Sequence, residues 1–146
     1  MYDPDTHCTE NFSWAEMDPQ GLAGPIARKN LHLLCNNVLE PLRKHFGKPV
    51  HITSGYRDIT VQNRLWQDAV RKYGSDGAAR EHVAPPGHSQ HEVGNAADHY
   101  IDGVPIEAIA EFHAANPCVG GIGLYFSDGF VHVDIRPRAG GPIARW

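Results

Sequence analysis

Two short stretches of this chain carry side chains that together could hold a metal ion and activate water. Residues 85–99, PPGHSQHEVGNAADH, set His88, His91 and His99 among the acids Glu92 and Asp98. Residues 130–136, FVHVDIR, place His132 in a β-branched run two positions before Asp134. Zinc takes nitrogen and oxygen ligands in a tetrahedral set at about 2.0–2.2 Å, and a catalytic site leaves one position to water. Two histidines and one carboxylate meet that requirement. Strand side chains alternate, so His132 faces away from Val131 and Val133. A loop-to-strand run from His91 to Asp98 would bring both residues beside His132 across a sheet, and Gly94 lets the backbone turn between them. The chain has 10 histidines. Isolated ones such as His32, His45 and His82 read as solvated or hydrogen-bonded bystanders.

The elements that must position these groups follow from periodicity. Over residues 25–46, Leu31, Leu34, Val38, Leu42 and Phe46 recur at helical spacing. Pro41 should kink or divide that helix, and Gly47 is the expected stop. A short strand is expected at 49–53, leading into Ser54, Gly55, Tyr56 and Arg57. A second helix spans about 60–73, with Val61, Leu65, Ala69 and Tyr73 along one side and Asp58 or Thr60 as its cap. Residues 74–89 hold Gly and Pro without apolar periodicity and read as a long loop, of a length that in a compact domain is usually functional or mobile. A strand lies within 94–100. Pro105 opens a third helix reaching about 115, with Ile106, Ile109, Ala110 and His113 inward. Residues 121–125 and 130–135 form a hairpin through Ser127, Asp128 and Gly129. Residues 1–20, polar apart from Phe12 and Trp14, are expected to wrap the surface. The fold class is α+β, helices packed on a small, mainly antiparallel sheet, in a single domain over 1–146.

Composition narrows the function classes. With 13 Lys and Arg against 17 Asp and Glu, the net charge is −4. Such a chain has no electrostatic reason to seek nucleic acid or an anionic membrane. No apolar stretch has the length of a membrane span, so no membrane insertion is expected. The 3 cysteines, Cys8, Cys35 and Cys118, are too few and too scattered for a disulfide framework or a cysteine zinc site. Cys35 and Cys118 read as small core residues, and one disulfide stays open. The N-terminus lacks a basic region followed by an apolar run. Synthesis in the cytoplasm without a signal peptide is therefore expected, or secretion if a leader has been trimmed.

Taken in order, Ser54-Gly55-Tyr56-Arg57, then Pro-Gly-x-Ser-x-His-x-x-Gly-x-Ala-x-Asp, then Gly-Ile-Gly-x-Tyr and Val-His-Val-Asp, the chain resembles the zinc D-alanyl-D-alanine carboxypeptidase family. That family includes wall-remodelling carboxypeptidases and endopeptidases and many phage endolysins, and it shares its fold with the Hedgehog signalling domain. The resemblance spans roughly residues 12–136. It implies that His91, Asp98 and His132 hold one Zn2+ per chain. It also implies that Arg57 sits over the metal and steers substrate carbonyl or carboxylate groups. Ser54 and Tyr56 match residues that line the cleft, and Ser89 matches a serine just before the first ligand. On the residues alone, Ser54 and Tyr56 would serve equally as strand cap and core filler, and Arg57 as a surface ion pair.

The chain departs from the family pattern at the general base. Relatives carry Glu or Asp three residues before the last histidine, where this chain has Gly129. Asp128 lies one residue further back and is the expected base. Asp134, on the same strand face as His132, is the other candidate and the expected support for that ligand. His99 follows the aspartate ligand where relatives often have an apolar residue, and it is expected at the surface or near the metal. Against the family pattern the loop within 74–89 is the third variable feature, expected to form one wall of the substrate cleft. The resemblance implies a monomeric peptidase acting on peptidoglycan stem or cross-bridge peptides at the bacterial wall, as a phage-type lytic endopeptidase. A D,D-carboxypeptidase and a non-catalytic, Hedgehog-like zinc module are the alternatives.

Overall fold

Ser13 accepts a hydrogen bond from the Glu16 amide while the Glu16 carboxylate takes the Ser13 amide, and this reciprocal cap starts the first helical turn. The computed structural model describes residues 2–146. A short antiparallel pair, β1 (His7–Thr9) and β2 (Phe12–Ser13), leads into α1 (Trp14–Met17). Next come α2 (Pro25–Leu34), a π-helical segment (Cys35–Leu39), α3 (Glu40–Phe46), β3 (His51–Ser54) and α4 (Ile59–Tyr73). The chain continues through α5 (Asp76–Ala79), a 3-10 turn (Gln90–Val93), β4 (Ala96–Tyr100) and α6 (Ile106–Ala114). It ends with β5 (Gly121–Tyr125), β6 (Phe130–Asp134) and β7 (Ala144–Arg145). The main sheet has five strands in the order β3-β4-β6-β5-β7, antiparallel except where β7 runs parallel to β5. The α+β class expected from the sequence is the one observed.

Pro41 acts on the first long helix in an identifiable way. It has no N–H for the carbonyl of Asn37, and its ring would collide with that carbonyl in a regular α-helix. The backbone widens instead to π pitch, with the Glu40 N–H reaching the Cys35 carbonyl. Gly47 then ends α3 in the left-handed region, with φ 64°. The apolar stripe Leu31, Leu34, Val38, Leu39 and Leu42 forms one buried cluster with Ala97, Ile122, Val131 and Val133 of the sheet. Each such side chain contributes about 1.5–3 kcal/mol by leaving water.

Strand parity sorts the two faces of the sheet. Val131 and Val133 enter the core, while His132 and Asp134 lie on the opposite face with Asp98, which pairs directly with His132. His99 shares its parity with Ala97 and is fully buried on the core side. It is therefore no surface residue, and its ring lies on the other face of the sheet from Asp98 and His132. Its Nε2 meets Nε2 of His113 from α6 at 2.8 Å, while its Nδ1 donates to the Ala97 carbonyl at 3.1 Å.

Other expectations need correction. Residues 1–20 do more than wrap the surface: Cys8, Phe12 and Met17 are buried members of the core. Cys118 is exposed, because it follows the turn after α6 and not an inward helical position. Cys8 and Cys35 are free, buried neighbours, and a hydrogen bond with Cys8, together with burial, pushes the Cys35 thiol up. On α4 the buried positions are Gln62 and Ala69, with Val61, Leu65 and Tyr73 only partly covered. That helix packs on the segment after it, which contains α5, instead of on the main core.

Candidate metal centre

The first of the three clustered residues is set by a cap. Ser89 accepts the His91 amide at 3.2 Å, and Glu92 takes the amides of Ser89 at 2.9 Å and Gly87 at 3.0 Å. The 3-10 turn so formed aims the His91 ring inward. Gly94 then reverses the chain at φ 79°, and a Cβ there would strike the Ala27 carbonyl. Two residues later β4 begins and delivers Asp98 opposite His132 on β6. His91, Asp98 and His132 are all buried, and their ligand atoms lie within 4.8 Å of one another.

Hydrogen bonding settles which atoms face the common point. His91 Nδ1 donates to the Gly55 carbonyl at 2.8 Å, so its Nε2 is a bare lone pair, 3.3 Å from Asp98 Oδ1. His132 stands between two carboxylates, with Nδ1 3.0 Å from Asp98 Oδ1 and Nε2 2.8 Å from Asp134 Oδ2. A neutral imidazole has one N–H and cannot satisfy both. Lone pairs of His91 and Asp98 that face each other across a buried gap call for a cation between them. In each histidine the remote ring nitrogen is tied to an oxygen, the arrangement that orients and strengthens metal-binding imidazoles. The donor set fits a zinc ion.

The electrostatics point the same way. Burial alone would raise the Asp98 carboxyl, but the adjoining His91 and His132 imidazoles hold it far below the usual carboxylate range. Burial likewise opposes ionisation of Asp134, yet His132 and Arg136 bring it to about 2. Burial lowers His91. For His132, burial is outweighed by Asp134 and Asp98, and its pKa rises.

Arg57 reaches this cluster from the segment after β3. Its Nη2 donates to Asp98 Oδ2 at 3.2 Å, its Nε to Ser54 Oγ at 2.8 Å and its Nη1 to Gln62 Oε1 at 3.3 Å. Arg57 is thus no surface ion pair. Ser54 supports the guanidinium and is not itself part of the cleft lining. Tyr56 also stands off the cleft, because it packs against the core cluster with its amide on the Met17 carbonyl at 2.8 Å. Ser89 does line the cleft, beside His91.

The cleft measures about 700 Å3 and is bounded by Arg57, His91, Asp98, His132 and the residues 80–84 and 88–90. Residues 80–84 and 88–89 belong to the segment expected as a cleft wall. Asp128 lies exposed in the β5–β6 turn at the rim. Asp134 is fully buried, and its oxygens are engaged by His132 and Arg136. Reasoning from the sequence missed four residues here: Gln62, Tyr125, Arg136 and Trp146. Two of them left a readable signal: Tyr125 closes the Gly-Ile-Gly-x-Tyr run, and Arg136 follows Asp134 by two residues. Trp146 lies with its ring centroid 5.0 Å from that of His132.

Comparison with known proteins places the fold and the family. A 90-residue stretch is 34% identical to the peptidoglycan L,D-endopeptidase MepK of Escherichia coli strain K12, covering 62% of this chain and 42% of the relative. The chain thus spans about two fifths of the length of the curated relatives it matches. The solved structure of an L,D-carboxypeptidase DacB from Streptococcus pneumonia shares the fold with a TM-score of 0.50 at 23% identity, over 90% of this chain and 74% of that one. The model of the VanY D-alanyl-D-alanine carboxypeptidase family matches residues 29–116, which include Arg57, His91 and Asp98. His132 lies beyond the match and joins the cluster through the pairing of β4 with β6. With more than half of its length matched, the chain belongs to the VanY family of D-alanyl-D-alanine carboxypeptidases.

Proposed function

We propose that this protein is a zinc-dependent peptidase that hydrolyses a peptide bond in peptidoglycan stem or cross-bridge peptides, as a phage-type lytic endopeptidase. The observation that carries the reading is the convergence of His91 Nε2, Asp98 Oδ1 and His132 Nδ1 at the floor of a cleft, with both remote ring nitrogens held by oxygens. Zinc held by these three residues would supply the Lewis acidity that brings the pKa of water from about 15.7 towards 7. Arg57, fixed by Ser54, Gln62 and Asp98, would bind a substrate carbonyl or carboxylate. Asp128 at the rim is the proposed general base, taking a proton from the attacking water and passing it to the leaving amine. Asp134 keeps the His132 ring in place. The likeness to a protein named an endopeptidase favours internal cleavage over removal of a terminal D-Ala. Gly129, where relatives carry an acid, is the one observation that favours a non-catalytic module instead.

Digestion of purified peptidoglycan followed by mass spectrometry tests the reading. Internal cleavage exposes new free amines on cross-linked fragments, whereas a carboxypeptidase releases terminal D-Ala alone. Absence of turnover by the fully zinc-loaded protein would sink both enzyme readings. Asp128→Ala is expected to retain zinc and lose about 100-fold or more in kcat. His132→Ala is expected to lose the metal, and full zinc retention would overturn the ligand assignment.

A further inference from the structure

Beyond the metal-type cluster, one pair of side chains is built into the cleft with no part yet in the chemistry. β7 runs beside β5, with the Trp146 amide on the Ile122 carbonyl at 3.1 Å and the Leu124 amide on the Trp146 carbonyl at 2.9 Å. This pairing lays the indole over Gly123, where a Cβ would stand 2.6 Å from its Nε1. The same indole flanks the His132 ring, and the Arg136 guanidinium carbon lies 5.2 Å from its centre. Its Nε1 donates to Tyr125 Oη at 2.7 Å.

An indole N–H can only donate, so the Tyr125 oxygen is the acceptor and its own proton points elsewhere. Among the described residues no acceptor takes that proton. Phe130 stacks on the Tyr125 ring, 4.5 Å between centroids and 18° between planes, and so restricts its swing. Tyr125 and Phe130 pair across the hairpin, as do Gly123 and His132, which puts the phenol on the His132 side of the sheet. Tyr125 lines the cleft along with Arg57, Asp98 and His132. Burial raises its pKa, so it keeps its proton through neutral pH.

We propose that Tyr125 donates a hydrogen bond to the scissile carbonyl oxygen as negative charge develops on it, and that Trp146 is the positioning residue that aims the Tyr125 hydroxyl. The proposal rests on the peptidase reading, and it adds to that reading a second donor beside Arg57. Removing a donor that acts on the developing oxyanion costs kcat more than KM.

The test uses the zinc-loaded full chain and two readouts, hydrolysis of a stem peptide and the affinity of a phosphinate pseudopeptide that mimics the tetrahedral centre. Tyr125→Phe is expected to lower kcat about 10–100-fold at nearly constant KM, and to weaken phosphinate binding by a similar factor. Trp146→Phe should give a smaller loss of the same kind. The double variant should be no worse than Tyr125→Phe alone, since both changes remove one interaction. Unchanged kcat and phosphinate affinity in Tyr125→Phe, at unchanged zinc content and melting temperature, overturns the proposal while the peptidase reading stands. Losses that add in the double variant overturn the positioning role of Trp146. Phosphinate binding that depends on Tyr125 in a protein that never turns over defeats the peptidase reading and supports the donor. A wild type that neither binds nor hydrolyses defeats both.

Discussion

Asp134 is fully buried, and its oxygens serve two partners: Oδ2 faces His132 and Arg136, and Oδ1 accepts the Arg136 amide at 3.1 Å and its Nε at 2.8 Å. A carboxylate so engaged orients a neighbour and is poorly free to shuttle protons. Asp134→Asn keeps the shape and removes the charge. The expected result is a 10–100-fold weaker hold on zinc, read by competition with a chromogenic chelator. The same change leaves a buried polar group imperfectly paired, at about 1–3 kcal/mol of stability. A variant with wild-type zinc affinity would separate Asp134 from the metal altogether. Parity along a β-strand made Asp134 visible in the sequence. Gln62 was not visible, because a polar residue on an amphipathic helix reads as solvent-facing until the segment 80–84 is seen to cover it. There its Nε2 donates to the Ala84 carbonyl at 2.8 Å.

Among the elements, two glycines separate what holds the fold from what shapes the cleft. Gly94 joins the His91 turn to the Asp98 strand at φ 79°, and an added Cβ would meet the Ala27 backbone, which cannot move aside cheaply. Gly94→Ala is expected to cost on the order of 1–3 kcal/mol in urea unfolding and to weaken zinc binding with it. At Gly123 the added methyl would meet the Trp146 indole and the edge of the Tyr125 ring, side chains that can shift where a backbone cannot. Gly123→Ala should therefore cost less stability than Gly94→Ala. It should also shift the Trp146 fluorescence as the indole leaves its place over the strand. Equal melting losses in the two variants would refute this distinction. The helix-strand order, the hairpin at Gly129 and the break at Pro41 were readable because each has a local cause in spacing, turn chemistry or a missing N–H. The π pitch, the burial of Phe12 and Met17, and the delivery of Trp146 by β7 were not. Each depends on contacts between segments distant in sequence, about which a two-residue strand such as Ala144–Arg145 carries almost no periodic signal.

For the molecule as a whole, buried histidines make stability depend on pH in a defined order. Burial lowers the pKa of His99 to about 4, and it also lowers His91 and His113. In the unfolded chain all three titrate near 6.5. Between about 6.5 and 4 the unfolded chain thus binds more protons than the folded one, and stability falls as the pH falls. For His99 alone the ceiling is roughly 3 kcal/mol. His132 has the opposite sign, because its partners Asp134 and Asp98 raise its pKa. Its contribution is complete below 6.5 and is lost as the pH rises through the folded value. Asp134 and Asp98 act lower still, since their depressed pKa values favour the fold above the ordinary 3.8 and cease to do so on further acidification. The metal-free protein should therefore be most stable near pH 6.5, with urea midpoints declining on either side. The acid limb should be shallower in a His113→Met variant, which removes one buried imidazole far from the cleft. Bound zinc adds stability on the alkaline side by holding His91 and His132 neutral, and so should move the maximum upward. Urea midpoints measured from pH 4 to 9, with and without zinc, would show both effects. A flat metal-free profile between 6.5 and 4 would mean that the buried imidazoles find protons or water in the folded state.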